Sequence, residues 1–191
     1  MGLQATTSQT VGPFFSIGLT WLKKDNVAGQ GASGERITIQ GCVLDGDNNP
    51  VPDALLEFWQ ADSQGSYGQS TNQEDRLQAG GFQGFGRIAT DENGKFSFAT
   101  IKPGAVAGPD EKSQAPHIAV SVFARGLLRR LVTRIYFADE EANASDFVLN
   151  LVEPARRGTL VAKNVAGRRG AFEWNVVLQG DDETVFFDIG L

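Results

Sequence analysis

The sequence predicts an all-β fold: a mixed β-sandwich or barrel of short strands with a long N-terminal arm and one minor helix. Three observations carry that expectation. Apolar and polar residues alternate in several short runs, the period of a half-buried strand. Clusters of Gly, Asp, Asn and Pro separate those runs at close spacing, as in all-β domains. One stretch, Ala138 to Leu151, offers a helix, with Asp139, Glu140 and Glu141 near its start, where the helix dipole favours acids.

Taken in order, residues 1–35 form the arm. Thr10-Val11-Gly12-Pro13-Phe14-Phe15 sets a Gly-Pro turn signal before two aromatics, and no regular element is expected there. Phe14, Phe15 and Trp21 are costly to leave in water, so the arm is expected to lie on another surface. Ala28 to Gly34 reads as a Gly/Ser-rich loop. Ile37 to Leu44 is the first strand, closed by the turn cluster Asp45 to Pro50. Ala54 to Ala61 is the second, closed by Asp62 to Tyr67. Gly68 to Gly84 is a polar, Gly-rich excursion with little regular structure. Arg87 to Thr90 and Lys95 to Ile101 flank Asp91-Glu92-Asn93-Gly94 and read as a β-hairpin, ended by Lys102-Pro103-Gly104. Further strands are expected at Leu131 to Phe137, Thr159 to Ala162, Ala171 to Leu178 and Thr184 to Ile189. No repeat and no linker interrupts the chain, so residues 1–191 read as a single domain.

Composition narrows the function. With 41% hydrophobic and 21% charged residues, the 191-residue chain has the make-up of an ordinary globular protein. A net charge of -6 argues against a nucleic-acid binder, which would carry a basic excess. The single cysteine, Cys42, excludes an internal disulfide and a multi-cysteine metal site, and reads as a buried small hydrophobe in a strand. No basic segment followed by an apolar core opens the sequence, and no apolar run reaches the ~20 residues of a membrane helix, so a cytoplasmic location is expected.

The stretch Gln114 to Gly126 holds the only histidine, His117. Its alternation puts Ile118, Val120, Val122 and Ala124 on one face and His117, Ala119, Ser121, Phe123 and Arg125 on the other. The first set is core; the second ends in a cation. At ~3.3 Å per residue, His117 and Arg125 would lie roughly 26 Å apart, too far to share one small ligand.

Several segments now agree, in order, with one known family. Gly41 to Tyr67, containing Asp53-Ala54-Leu55-Leu56-Glu57-Phe58-Trp59-Gln60-Ala61-Asp62, resembles the intradiol ring-cleaving dioxygenases. So do Thr90-Asp91 through Lys102-Pro103-Gly104, Ala115-Pro116-His117-Ile118, the arm Ser8 to Phe14 and the tail Glu183 to Ile189. The resemblance implies a non-haem ferric ion bound by two tyrosines and a His-x-His pair, phenolate oxygens and imidazoles being suited to Fe(3+). Here the pair reads His117-Ile118-Ala119. The Pro-Gly-x-Tyr motif reads Pro103-Gly104-Ala105-Val106, and Asp110 to Gln114 offers no tyrosine. One of four ligands remains, so no metal ligand is assigned to this chain and His117 reads as a structural histidine.

The resemblance then implies an alpha-type subunit. Its partner would be a beta subunit that binds the Fe(3+), in a large alpha-beta hetero-oligomer with the active site at the subunit interface. The implied substrate is 3,4-dihydroxybenzoate, opened with O2 between its hydroxylated carbons to 3-carboxy-cis,cis-muconate. Phe123-Ala124-Arg125-Gly126 matches the motif whose arginine meets the substrate carboxylate, which a planar guanidinium pairs with in bidentate fashion. Read without the motif, Arg125 is a solvated strand-end charge. Thr10, Gly12 and Pro13 match the segment lining the cleft, and Phe14 stands where family members often carry tyrosine. Substrate-binding roles are therefore expected at Thr10, Gly12, Pro13, Phe14 and Arg125. Arg129, Arg130 and Arg134 are expected to add to the local positive field. The rival expectation is a non-catalytic transthyretin-like β-sandwich binding module, which has no reason to carry the arm motif or the Phe123-to-Gly126 motif.

Overall fold

The computed structural model describes residues 6–19, 22–29, 31–67 and 82–189. In chain order the elements are α1 (Pro13–Leu19), β1 (Arg36–Leu44), β2 (Leu55–Gln60), β3 (Phe85–Ala89), β4 (Lys95–Ile101), β5 (Val106–Ala107), β6 (Ser113–Gln114), β7 (His117–Phe123), β8 (Leu131–Phe137), β9 (Val161–Asn164), β10 (Ala171–Glu173) and β11 (Val176–Val177). Among the described residues nine strands form one sheet in the order β11-β1-β10-β9-β8-β7-β2-β3, with β4 on the free side of β1. It folds over on itself as two facing layers, so the expected sandwich or barrel is what the chain forms.

Alternation in the sequence fixes which faces meet. Ile37, Ile39 and Val43 of β1 are buried, as are Phe96 and Phe98 of β4. Opposite them stand Leu56 and Phe58 of β2 and Ile118, Val120 and Val122 of β7, all buried. Phe58 stacks on Phe98 with centroids 3.8 Å apart, and Phe137 meets Phe172 edge-on at 5.1 Å. These contacts join the layers, each buried side chain contributing about 1.5–3 kcal/mol. β9 links them through the backbone, pairing parallel with β8 and antiparallel with β10.

The arm does more than rest on a surface. Lys24 exchanges both backbone hydrogen bonds with Arg87 of β3, and the segment just after it bonds to Ala99 of β4. Residues 24–27 thus cover the free edges of both layers, and Val27 and Ala28 are buried there. Covered edges are closed to pairing with foreign strands.

Several sequence expectations need correction. The arm carries α1, a short helix: Pro13 takes the first helical position, where its missing N–H is no loss, and Phe15 N donates to Gly12 O at 3.0 Å. The Gly-Pro pair is a helix start, not a turn. Next, β3 and β4 are not a hairpin. The Asp91–Lys95 turn closes normally, but β3 pairs with β2 while β4 crosses to β1. The crossing is set at the turn, where Gly94 O accepts from Val43 of β1 and Thr90 N donates to Ala54 O beside β2.

The expected helix at Ala138 to Leu151 is two 3₁₀ turns, Glu141–Ser145 and Leu149–Leu151. Asp146 separates them in extended backbone (φ -66°, ψ 121°), because its buried carboxylate is committed to other donors described below. Thr159 to Ala162 begins as a 3₁₀ turn, Arg157–Leu160, before β9. Ala171 to Leu178 is broken into β10 and β11. At the break Trp174 N donates to Gln40 O, and the Asn175 side chain accepts from Cys42 N at 2.9 Å. A Cβ at Gly41 would fall 1.8 Å from Trp174 O, so only glycine fits opposite the break. Thr184 to Ile189 is irregular; Thr133 Oγ1 donates to Val185 O and Phe187 N to Val132 O.

Cys42 is half-buried, not buried, with Sγ 3.4 Å from Asn93 O. Trp21 and residues 68–81 of the Gly-rich excursion lie outside the described residues. No helix among the described residues is long and apolar enough to cross a membrane.

Candidate functional site

β7 carries the two features singled out in the sequence at its opposite ends. Its core face is buried as expected: Ile118, Val120, Val122 and Ala124 are all at most 1% exposed. Beyond its C-terminal end the chain turns at once. Leu127 N donates to Ala124 O at 3.3 Å, with Arg125 and Gly126 at the corner and Gly126 at φ +90°. Positive φ at the third residue is the type II requirement, which explains the glycine after the arginine. Buried Ala124 on one side and Gly126 on the other fix the base of the Arg125 side chain. The side chain itself is 58% exposed, and its Nε lies 3.1 Å from Asp53 Oδ2 and 3.3 Å from Oδ1.

The arm docks on this same turn. Thr10 Oγ1 accepts from Gly126 N at 2.7 Å, and the Phe15 ring sits 5.5 Å from the Phe123 ring, tilted by 40°. Thr10 and Arg125, 115 positions apart, are thereby held side by side across one hydrogen bond. Gly12 is exposed, and a Cβ there would meet nothing within 4 Å. No contact among the described residues requires glycine at that position. Pro13 and Phe14 belong to the first turn of α1; their side chains lie outside the described residues. Of the five expected residues, Thr10 is brought beside Arg125, and Gly12, Pro13 and Phe14 follow it along the chain into α1. Asp53 was missed: nothing in the sequence links it to an arginine 72 positions on.

The other end of β7 is buried. His117 is 2% exposed and its Nδ1 lies 2.8 Å from Ala115 O, so Nδ1 carries the proton and donates. Burial pushes the imidazole pKa down, and the Arg134 guanidinium adds to that, while Ala115 O and the Asp146 carboxylate act the other way. Arg134 faces Ala119 across the β7–β8 ladder and donates to Gln114 Oε1 at 2.9 Å and to Tyr136 Oη at 3.4 Å. Tyr136 is fully buried, and burial pushes its phenol up to about 12. It therefore stays protonated and donates to Asp146 Oδ1 at 3.1 Å.

This end does not fit a ferric ion. Ala119 and Val106 have no donor atom, the Tyr136 phenol is committed to Asp146, and a fixed guanidinium stands opposite Ala119. Among the described residues no group of three or more His, Cys, Asp or Glu side chains could hold a metal ion. Arg134 was expected near Arg125 and belongs here instead, because its strand position pairs it with Ala119. Arg129 and Arg130 are exposed in the β7–β8 connection.

The His117 environment has a pH consequence. Its folded pKa lies below the unfolded value near 6.5, so the unfolded state takes up the proton first on acidification. The contribution is fully present above about pH 6.5 and is lost as pH falls through the folded pKa. His117→Gln should therefore flatten the stability profile between about pH 7 and 5. Equal losses of Tm in both proteins over that range would show that another group is responsible.

A cavity of about 1060 Å³ is lined by Cys42, Arg87, Asp91, Lys95 and Glu173 among others, and reaches Leu55, the partner of Phe123 in the β2–β7 ladder. Thr10, Gly12 and Arg125 do not line it, and its charges are of both signs.

The chain has relatives among known proteins. A family model described as dioxygenase matches residues 11–180. The chain is 45% identical to the protocatechuate 3,4-dioxygenase alpha chain of Burkholderia cepacia, over 98% of both chains. It is 35% identical to the beta chain of the same enzyme from that organism, over 85% of this chain and 72% of the other. Among solved structures it resembles the dioxygenase domain of a dioxygenase carbohydrate-binding protein fusion from Streptomyces sp. SirexAA-E. That match has a TM-score of 0.63 and 28% identity, covering 83% of this chain and 88% of that one.

Proposed function

This chain belongs to the intradiol dioxygenase family, and from that membership we propose that it is the alpha subunit of a protocatechuate 3,4-dioxygenase. It completes the substrate site of a beta-type partner for O2-dependent opening of 3,4-dihydroxybenzoate to 3-carboxy-cis,cis-muconate. The near full-length likeness to an alpha chain supports this reading over a transthyretin-like binding module. The observation that carries the site is the Thr10–Gly126 hydrogen bond, which sets the arm beside Arg125.

Each residue then has a part. The Arg125 guanidinium takes the carboxylate of the substrate through paired charge-assisted hydrogen bonds, turning the two ring hydroxyls toward the partner. Thr10, Gly12, Pro13 and Phe14 form the wall along the ring, and Phe14 offers no hydroxyl there. Holding the ring at its far end converts part of the reaction barrier into binding already accomplished. The Fe(3+) that supplies the redox centre belongs, in this reading, to the beta-type chain. The single domain of residues 1–191 and a cytoplasmic location are parts of the same reading.

Oxygen uptake with 3,4-dihydroxybenzoate tests it. This chain alone should show none, and the chain co-purified with a beta-type partner should show substrate-dependent uptake. Uptake by the lone chain would contradict the proposed division of labour.

A further inference from the structure

Arg125 does not meet Asp53 with the end of its guanidinium. Only Nε makes the contact, 3.1 Å from Oδ2 and 3.3 Å from Oδ1, and among the described residues no other group pairs with this side chain. Neither Nη amino group has a hydrogen-bond partner among the described residues, which leaves free the pair of donors that binds a carboxylate in bidentate fashion.

Asp53 is itself held for this task. It sits in the connection between β1 and β2 at φ +58°, a left-handed conformation that aspartate tolerates better than most residues. Buried Thr90 braces both sides of it: Oγ1 donates to Val51 O at 2.9 Å and accepts from Ala54 N at 2.9 Å. A second bond from Thr90 N to Ala54 O, at 2.8 Å, locks the same segment to β3. An exposed ion pair adds little stability, at most ~1 kcal/mol, so this bracing is out of proportion to a merely stabilising role.

We infer that Asp53 is a positioning residue: it grips Arg125 by Nε and presents the Nη edge to the carboxylate of an aromatic acid. The inference rests on the proposed substrate role of Arg125. It makes Asp53, which never touches the substrate, a determinant of selectivity for carboxylated over uncarboxylated catechols.

Asp53→Gly removes the carboxylate and accepts the positive φ without strain. In the co-assembled enzyme it should raise KM for 3,4-dihydroxybenzoate about 3- to 5-fold, the upper part of the range for exposed charge pairs. Its kcat, and both constants for benzene-1,2-diol, should stay unchanged. Asp53→Asn keeps the backbone conformation and one acceptor oxygen, and should recover most of the loss. An unchanged or lowered KM in Asp53→Gly would overturn the inference, the lowered value showing that Asp53 competes with substrate. Arg125→Ala is measured alongside. If it weakens 3,4-dihydroxybenzoate and Asp53→Gly does not, only the positioning role fails. If neither variant has an effect, the substrate role of Arg125 fails first.

Discussion

Arg125→Ala in the co-assembled enzyme raises KM for 3,4-dihydroxybenzoate about 10- to 100-fold and leaves benzene-1,2-diol nearly unaffected. The size follows from the chemistry removed. Hydrogen bonds to charged groups contribute about 1.5–3 kcal/mol, and each 1.4 kcal/mol is tenfold in affinity. The contrast between substrates follows from their difference, since only the first carries a carboxylate. Folding should not suffer: the side chain is 58% exposed, and its one ion pair among the described residues is with Asp53. The backbone geometry comes from Ala124, Gly126 and the Thr10 hydrogen bond, all kept in the variant. Steady-state kinetics on both substrates decide the matter, and equal losses on the two would show that Arg125 supports the interface instead of the carboxylate.

Asp146→Ala destabilises the chain by about 3–5 kcal/mol, the cost of leaving several buried donors unpaired. The carboxylate is fully buried and accepts from Ala115 N at 2.8 Å, Leu149 N at 2.7 Å and the Tyr136 hydroxyl at 3.1 Å. It therefore ties the segment after β8 to the start of β7, beside His117. Asp146→Asn keeps an acceptor for part of this set and should lose less. Denaturant unfolding of the two variants checks the ranking. A loss below about 1 kcal/mol in Asp146→Ala would mean that water or a neighbouring group replaces the carboxylate.

The sequence shows where strands run because burial on one face imposes period two. β7 and β8 coincide with expected strands, and the core face of β7 is the one its alternation selects. It does not show which strands pair. Arg87 to Ile101 has every local mark of a hairpin, yet the Asp91–Gly94 turn passes between layers, a choice made by Val43 and Ala54 far along the chain. The expected helix fails for a similar reason: its acids suit a helix start, but Asp146 is drawn off by Ala115 and Tyr136.

The site was legible in its parts. Thr10, Gly12 and Arg125 were singled out through motif resemblance, and the Thr10–Gly126 hydrogen bond that sets the arm beside the Arg125 turn belongs to the fold alone. The pairing of Asp53 with Arg125 carried no signal, because a salt bridge between two loops has no period and no fixed spacing.

Metal content and oxygen uptake, measured on the same two preparations, bear most directly on the central claim. This chain purified alone should hold no stoichiometric iron and consume no oxygen with 3,4-dihydroxybenzoate. Co-purified with its beta-type partner, it should form a complex that holds iron and consumes oxygen. Stoichiometric iron in the lone chain, or an iron-bearing partner fully active without it, would contradict the claim that this chain supplies the carboxylate end of a shared site.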